Sequence, residues 1–257
     1  TMGAGLVVDT SKHLRRVIDV DASKQIAVVE PGLVLDDLNA QLKRHGLWFP
    51  VDVSTSAQAT IGGMAGNNSC GSRSIRYGNM VHNVLGIDAR LADGSAVAFG
   101  RVDAMRSGRG EHVAGFVRGL AEAHRGEIEA RFPKLLRRVG GYNLDVFHPQ
   151  SERPYTGDGS VNLAHLLVGS EGTLAWSRSL TLQLAPLPAA KVLGVVNFPT
   201  FRAAMAAAEH IVTLGPTAVE LVDRTMIELA LANPAFTVLI TAARGKDGVP
   251  TFCATLL

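Results

Sequence analysis

The chain has 257 residues, of which 47% are hydrophobic, 5% aromatic and 19% charged, so we expect a substantial core built mainly from aliphatic side chains. A net charge of only +2 gives no support for a nucleic-acid partner. The two cysteines, Cys70 and Cys253, provide neither a disulfide framework nor a metal motif and favour a reducing compartment. No apolar run reaches the roughly 18 residues of a membrane span and no secretory signal is visible, so we expect a cytoplasmic protein.

The N-terminal part of the sequence predicts three strands and a helix. An apolar run predicts a strand over residues 5–9, and two β-branched runs, 16–21 and 25–30, predict a hairpin. Residues 34–45 carry apolar side chains at helical spacing, with acidic residues early and basic residues late, which suits the helix dipole. Gly46 then marks the end of that helix.

The middle of the sequence predicts a second hairpin, a helix and a long strand. Apolar runs at 85–91 and 96–99 flank an Asp-Gly pair, which is a strong hairpin signal. Residues 111–132 predict one amphipathic helix that ends at a proline. Its apolar face would hold Val113, Phe116, Val117, Leu120 and Ile128. Residues 148–160 predict a surface loop, and alternation predicts a strand over 176–184.

Two prolines, Pro186 and Pro188, predict a domain boundary, because the pattern of strands and helices restarts after them. The elements predicted beyond this point are strand 191–198, helix 201–214, strand 218–222, helix 225–232 and strand 236–242. This alternation favours a second α+β domain. We therefore expect an α+β protein with domains at residues 1–185 and 186–257.

Residues 60–78 are the most informative segment, since they combine five glycines with small hydroxyl and amide side chains and two arginines. Such a loop lets backbone approach a ligand closely and can bind an anion through successive N–H groups, which indicates a phosphate-bearing cofactor. The segment matches neither common nucleotide fingerprint. A solvent-exposed glycine-rich loop is the alternative, but Ile61, Met64 and Ile75 favour burial.

These residues and their neighbours resemble the FAD-linked oxidases and dehydrogenases of the vanillyl-alcohol-oxidase type, which have a PCMH-type FAD-binding domain. The resemblance rests on residues 49–56, 61–63, 76–78 and 83–86, with Asn67 and Gly71. A second matching motif, Leu-Val-Gly-Ser-Glu-Gly-Thr-Leu, spans residues 167–174. Within the family the chain is most similar to the D-lactate, glycolate and D-2-hydroxyglutarate dehydrogenase branch. The Gly-Gly-Tyr-Asn-Leu stretch at 140–144 fits its long bacterial members, which carry an added iron–sulfur domain.

The resemblance implies bound FAD, held by the second subdomain of the FAD-binding domain, with part of a substrate or cap domain following. The candidates in the glycine-rich run, most of them assigned to the pyrophosphate and flavin, are Thr60, Gly62, Gly63, Asn67, Asn68, Ser69, Cys70 and Gly71. Pro50 and Thr55 fall nearer the adenosine side, and Gly172 and Trp176 fall at the ribityl chain or flavin edge. Relatives usually carry Gly-Ile or Gly-Val where this chain has Ala175-Trp176. No catalytic residue or metal ligand can be carried over.

The reaction implied by the resemblance is oxidation of a 2-hydroxy acid by hydride transfer to the flavin, with the electrons passing to an acceptor such as an iron–sulfur domain. Family members begin with a further phosphate-binding loop and continue into a longer cap, so we expect this fragment alone to be inactive. Two alternatives stay open. The chain could be a flavin-free binding or structural module of the same fold, or another oxidase of this flavoprotein family.

Overall fold

The computed structural model describes residues 8–105, 108–150 and 153–233, together with the backbone of residues 252–256. Contacts group the chain into two units, one of residues 1–71 and 77–187 and one of residues 72–76 and 188–257. The fold is α+β throughout the described residues, as predicted. The proposed domain limits at 185 and 186 stay a prediction.

The strands of the first unit are β1 (Val17–Asp21), β2 (Ile26–Val29), β3 (Leu47–Trp48), β4 (Val84–Arg90), β5 (Ala96–Phe99), β6 (Trp176–Gln183) and β7 (Ala185–Pro186). Helices up to residue 187 are α1 (Leu35–Leu42), α2 (Ile61–Gly66), α3 (Ser74–Tyr77), α4 (Met80–Asn83), α5 (Arg109–Ala123), α6 (Arg125–Arg131) and α7 (Ala164–Leu167). Short 3₁₀ turns lie at Lys43–His45, Val102–Ala104 and Leu144–Phe147.

A five-stranded antiparallel sheet, in the order β1-β2-β6-β4-β5, organises the first unit. Strand β6 lies at its centre, with Leu180 opposite Val29 of β2 on one side and Ile87 of β4 on the other. These three side chains are at most 2% exposed and belong to one aliphatic core. The late strand therefore closes a sheet whose other members all precede it by many residues.

The second unit has a three-stranded antiparallel sheet in the order β8-β10-β9. Its elements are β8 (Gly194–Phe198), α8 (Phe201–Ile211), β9 (Val219–Val222), α9 (Arg224–Ala232) and β10 (Phe252–Leu256), with a 3₁₀ turn at Val212–Leu214. Both helices begin with a side-chain cap, from Thr200 to the Ala203 N–H and from Asp223 to the Met226 N–H. Such caps satisfy main-chain donors that have no partner inside a helix.

Most predicted elements are confirmed. Both hairpins form, through β1–β2 and β4–β5, and the helix predicted over 34–45 appears as α1 and the 3₁₀ turn that follows. Gly46 ends that turn with a φ of 68°, in the left-handed region that glycine adopts without strain. The strand at 176–184 and the elements between 191 and 232 are present with small shifts at their ends. The described residues of the 148–160 segment contain no helix or strand, as expected of a loop.

Several predictions fail or cannot be compared. The single helix over 111–132 is two helices, because the backbone at His124 leaves helical geometry at φ −111° and ψ 17°. Phe116 and Leu120, both placed on the apolar face, are 68% and 36% exposed. Val8 and Asp9 are not in a strand, and residues 5–7 lie outside the described residues, as does the strand predicted at 236–242. Strand β10 falls in a stretch that showed no periodicity.

Leu182 gives a direct test of the central strand. It is fully buried opposite Ala27 and Val84, so a Leu182→Ala change should lower the free energy of unfolding by about 2–5 kcal/mol through lost burial and a cavity. Arg178→Ala, at an exposed position of the same strand, is the control and should change stability by no more than about 0.5 kcal/mol. Equal losses in urea denaturation for the two variants would contradict this sheet order.

Candidate functional site: a cleft between two glycine-containing motifs

The first motif, predicted as a loop, begins with helix α2 in spite of its glycines. Thr60 caps the helix, since its Oγ1 accepts a hydrogen bond of 3.3 Å from the Gly63 N–H. Ile61 and Met64 are at most 2% exposed and anchor the helix in the core. This burial offsets the low helix propensity of glycine.

Gly62 is required by the close approach of α2 to the turn before α1. A Cβ at this position would lie 2.6 Å from the Pro31 Cβ, well inside van der Waals contact. The Gly62 N–H also donates to the Pro31 carbonyl at 2.7 Å. The backbone of α2 is thus pressed against Pro31, and only glycine fits.

The second motif docks on the end of the same helix. The Gly169 N–H donates to the Ala65 carbonyl and the Glu171 N–H donates to the Gly66 carbonyl, both at 2.8 Å. The turn that orients these two N–H groups towards α2 has positive φ values of 86° at Gly169, 54° at Glu171 and 71° at Gly172. Motifs about a hundred residues apart in sequence therefore share one set of main-chain hydrogen bonds.

A cleft of about 200 Å³ opens where the two motifs meet. Its walls are Thr10, Pro31, Gly62, Ala65, Gly66, Leu167, Ser170, Gly172, Ala175, Trp176 and Ser177. This lining contains glycine backbone, hydroxyl groups and an indole and no carboxylate, which suits an anionic ligand with a planar ring. Small-molecule sites typically measure roughly 300–1,000 Å³, so the cleft accommodates only a part of a dinucleotide.

Three of the twelve predicted site residues, Gly62, Gly172 and Trp176, line this cleft. Trp176 is 39% exposed at the start of β6, and a Cβ on Gly172 would meet no atom within 4 Å. The predicted residues that do not line the cleft are Pro50, Thr55, Thr60, Gly63, Asn67, Asn68, Ser69, Cys70 and Gly71. Their assignment to the cofactor stays a prediction.

Several of those residues have clear structural partners. Asn68 is 1% exposed, its Oδ1 accepts from the Val81 N–H at 3.0 Å, and its Nδ2 donates to the Arg138 carbonyl at 3.2 Å. A Cβ on Gly71 would lie 2.1 Å from the Asp52 carbonyl oxygen. Asn68 and Gly71 therefore fix the path of the glycine-rich run.

The remaining predicted residues differ in how accessible they are. Pro50 is buried, whereas Thr55 and Gly63 are exposed. Asn67 is exposed and its Oδ1 accepts from the Ser69 hydroxyl at 2.6 Å. Cys70 is a half-buried free thiol. Gly63 and Asn67 are therefore accessible to a ligand. Pro50, which is buried, has a packing role.

Sequence reasoning missed Thr10, Pro31, Gly66 and Ser170 as cleft residues. Gly66 and Ser170 lie inside the two motifs, so the signal was present, but only the docking of the turn on α2 brings them together. Thr10 and Pro31 carry no motif. Main-chain bonds from Leu14 to the Thr10 carbonyl and from Gly32 to the Leu14 carbonyl bring this segment to the cleft.

Residues 141–144, Gly-Tyr-Asn-Leu, stabilise the second motif through hydrogen bonds. Asn143 is 2% exposed, and its Nδ2 donates to the carbonyls of His165 at 2.9 Å and Val168 at 3.0 Å. The hydroxyl groups of Tyr142 and Thr173 are 2.8 Å apart and hydrogen-bonded. These contacts give residues 141–144 a structural role next to the second motif.

Two histidines, the half-buried His82 and the buried His165, are in edge contact with the Tyr155 ring. The centroids of His82 and His165 are 6.0 and 5.7 Å from that of Tyr155. Burial lowers the pKa of each histidine to about 4, so both are neutral at pH 7. His165 Nε2 lies 3.1 Å from the Val84 carbonyl and donates to it.

Among the residues that the structure describes, no group of three or more His, Cys, Asp or Glu side chains could hold a metal ion. In the same residues, no helix is long and apolar enough to cross a membrane.

Two parts of the chain match known protein families. Residues 2–100 match the family described as FAD binding domain, and residues 187–252 match FAD linked oxidases, C-terminal domain. The two models occur in the order that the resemblance implies. The chain therefore matches both the FAD-binding domain and the C-terminal domain of FAD-linked oxidases, and the cofactor that these two matches indicate is FAD.

The chain is similar to curated dehydrogenases. It is 32% identical over 236 residues to D-2-hydroxyglutarate dehydrogenase of Pseudomonas putida and 31% identical over 237 residues to that of Escherichia coli. It is 28% identical over 226 residues to D-lactate dehydrogenase of Archaeoglobus fulgidus. These alignments cover 89%, 89% and 88% of this chain but only 23%, 23% and 39% of those proteins. The chain thus spans about a quarter of the first two relatives.

A solved structure of alkyldihydroxyacetonephosphate synthase has the same fold. It superimposes with a TM-score of 0.61 at 18% identity, over 95% of this chain and 36% of that one. At this identity the likeness shows the fold alone.

The lowered pKa values of His82 and His165 predict a loss of stability in acid. Their pKa of about 4 in the folded protein lies below the ordinary 6.5, so the unfolded chain binds more protons between these values. Stability present above pH 6.5 is therefore lost as the pH falls towards 4, by up to about 3 kcal/mol per histidine. Urea denaturation at several pH values measures it.

A matched pair of variants isolates this effect. His165→Gln keeps a donor for the Val84 carbonyl but cannot titrate, so it should lose roughly half of the pH dependence. His112→Gln, at an exposed position of α5, should leave the pH dependence unchanged. Identical pH profiles for the original protein and both variants would show that burial does not depress these pKa values.

Proposed function

We propose that this chain is part of an FAD-dependent dehydrogenase that oxidises a 2-hydroxy acid of the D-2-hydroxyglutarate, D-lactate or glycolate type. The observation that carries the proposal is the cleft in which Gly62 and Gly66 of α2 face Gly172 and Trp176 of the second motif. The names of the relatives support the substrate class. Because the chain spans only a part of those proteins, activity and substrate are proposals for the whole protein.

FAD supplies the hydride acceptor in this chemistry. The residues of this chain bind and orient it. Glycine backbone at Gly66 and Gly172 lets a ligand approach without a Cβ in the way. The hydroxyls of Ser170 and Ser177 are hydrogen-bond donors for an anionic or polar part of the cofactor.

Trp176 gives the cleft an apolar rim, and it is this chain's departure from the usual glycine-containing pattern. Its indole is large, planar and partly exposed, so it can cover a ring of the cofactor and exclude water from it. Gly63 and Asn67, exposed on the same glycine-rich run, remain our candidates for contacts to the pyrophosphate. We assign no catalytic residue to this chain.

We further propose that residues 1–185 form the FAD-binding domain and residues 186–257 part of the cap. The change of unit between Leu187 and Pro188 and the start of the C-terminal family match at residue 187 support it. An iron–sulfur domain as electron acceptor and a cytoplasmic location complete the proposal. The scarcity of cysteine supports the reducing compartment.

A Gly66→Leu change tests the cleft directly. A Cβ on Gly66 would meet no atom closer than 3.9 Å, so the variant should fold, but its side chain would occupy the space next to Ser170 and Gly172. We expect FAD affinity to fall at least about tenfold. Flavin fluorescence polarisation measures affinity, and a thermal unfolding midpoint equal to that of the original protein checks the fold.

Gly119→Leu is the matched control, since it adds the same side chain to a helix where a Cβ meets no atom within 4 Å. It should leave FAD affinity unchanged. Unchanged affinity in a folded Gly66→Leu protein would rule out this cleft as the cofactor site.

A further inference from the structure

A second cavity, of about 300 Å³, lies in the first unit and shares no lining residue with the cofactor cleft. We call it the Arg138 cavity. Ile128, Phe132 and Leu136 form an apolar wall, while His82, Arg138 and Tyr155 provide polar groups. An apolar wall with a few convergent polar groups is the usual composition of a small-molecule site, and the volume is at the lower end of the range for such sites.

Arg138 is a cation held in place with part of its hydrogen-bonding capacity unused. Its side chain is 13% exposed, and its Nη2 donates to both Asp145 carboxylate oxygens, at 2.7 and 2.8 Å, and contacts the Tyr155 hydroxyl. The guanidinium also stacks on Phe132, 4.8 Å from the ring centroid. Nε and Nη1 donate to no described residue. The remaining N–H groups on Nε and Nη1 can each donate a charge-assisted hydrogen bond to a carboxylate oxygen.

His82 supplies a second donor without a partner. The Asn79 N–H donates to His82 Nδ1 at 3.0 Å, which fixes the ring proton on Nε2. That Nε2 is buried and has no hydrogen-bond partner among the described residues. The main chain of Arg153 lies near the His82 ring and raises its pKa, but its position does not meet hydrogen-bonding geometry with Nε2. A buried N–H without an acceptor is costly, so an acceptor is expected in the cavity.

The charges around the cavity also favour an anion. Lys134 adds positive charge to its lining, while Glu129 is paired with Arg125 and Asp145 is paired with Arg138. We infer that the Arg138 cavity binds a small organic carboxylate, whose oxygens accept hydrogen bonds from the Arg138 guanidinium and from His82 Nε2. The apolar body of the ligand packs on the wall formed by Phe132 and Leu136. This inference does not depend on FAD binding.

Butyrate is a suitable probe, because it joins one carboxylate to a short apolar body. Saturation-transfer NMR on this 257-residue chain, without FAD, should give a Kd on the order of 1 mM. Butyramide has a similar shape without the charge and should bind at least about tenfold more weakly. Inorganic phosphate, tested by competition, should displace butyrate poorly. No butyrate binding, or a preference for phosphate, would overturn the inference.

His82→Asp is the informative variant, since its carboxylate can still accept from the Asn79 N–H but offers no donor and repels an anion. We expect butyrate binding to weaken at least about tenfold. His112→Asp, which makes the same change at an exposed position outside the cavity, should bind butyrate as the original protein does. Equal affinity in His82→Asp and His112→Asp would refute the site.

Arg138→Lys provides a second variant in case His82→Asp does not fold. Lysine retains a positive charge for Asp145 and the main-chain carbonyl that Asn68 uses, but it lacks the planar fork. Butyrate affinity should fall at least about fivefold. An unchanged affinity in this variant would contradict a carboxylate bound by the guanidinium.

Discussion

The site depends on the docking of the Gly-Ser-Glu-Gly turn on the end of α2. Two main-chain hydrogen bonds of 2.8 Å, from Gly169 to Ala65 and from Glu171 to Gly66, join segments about a hundred residues apart in the sequence. Both donors are backbone N–H groups, and the left-handed φ values of Gly169 and Glu171 orient them. A side chain cannot replace these bonds. The cleft lies where the two segments meet, so its shape depends on these two hydrogen bonds.

Two buried asparagines, Asn68 and Asn143, stabilise the docking of the turn on α2 and connect it to the Arg138 cavity. Asn143 holds the carbonyls that precede the turn, and Asn68 holds the run that follows α2. Asn68 also donates to the main-chain carbonyl of Arg138, whose guanidinium lines the second cavity. A ligand bound to the Arg138 guanidinium would therefore contact a residue whose main-chain carbonyl holds Asn68. This physical connection makes the two cavities parts of one packed polar network.

The sequence predicted elements well wherever one period dominated, as in the β1–β2 and β4–β5 hairpins. It failed where tertiary packing decided the outcome. The glycine-rich run, predicted as a loop, forms α2 because Ile61 and Met64 are buried under it. The break at His124 has no proline or glycine signal of its own. For the site, the glycine pattern and the family resemblance indicated Gly62, Gly172 and Trp176. Thr10 and Pro31 carry no sequence signal and line the cleft only because the chain folds back to it.

The most direct test of the shared cleft uses Trp176 as a reporter. The chain has two tryptophans, and Trp48 donates to the Pro186 carbonyl away from the cleft, so a Trp48→Phe variant leaves Trp176 as the single emitter. FAD should quench its fluorescence in a saturable way, with the same midpoint as flavin polarisation, because the indole lies on the cleft rim. Saturable FAD binding with unchanged Trp176 emission would contradict a cofactor held between the two motifs.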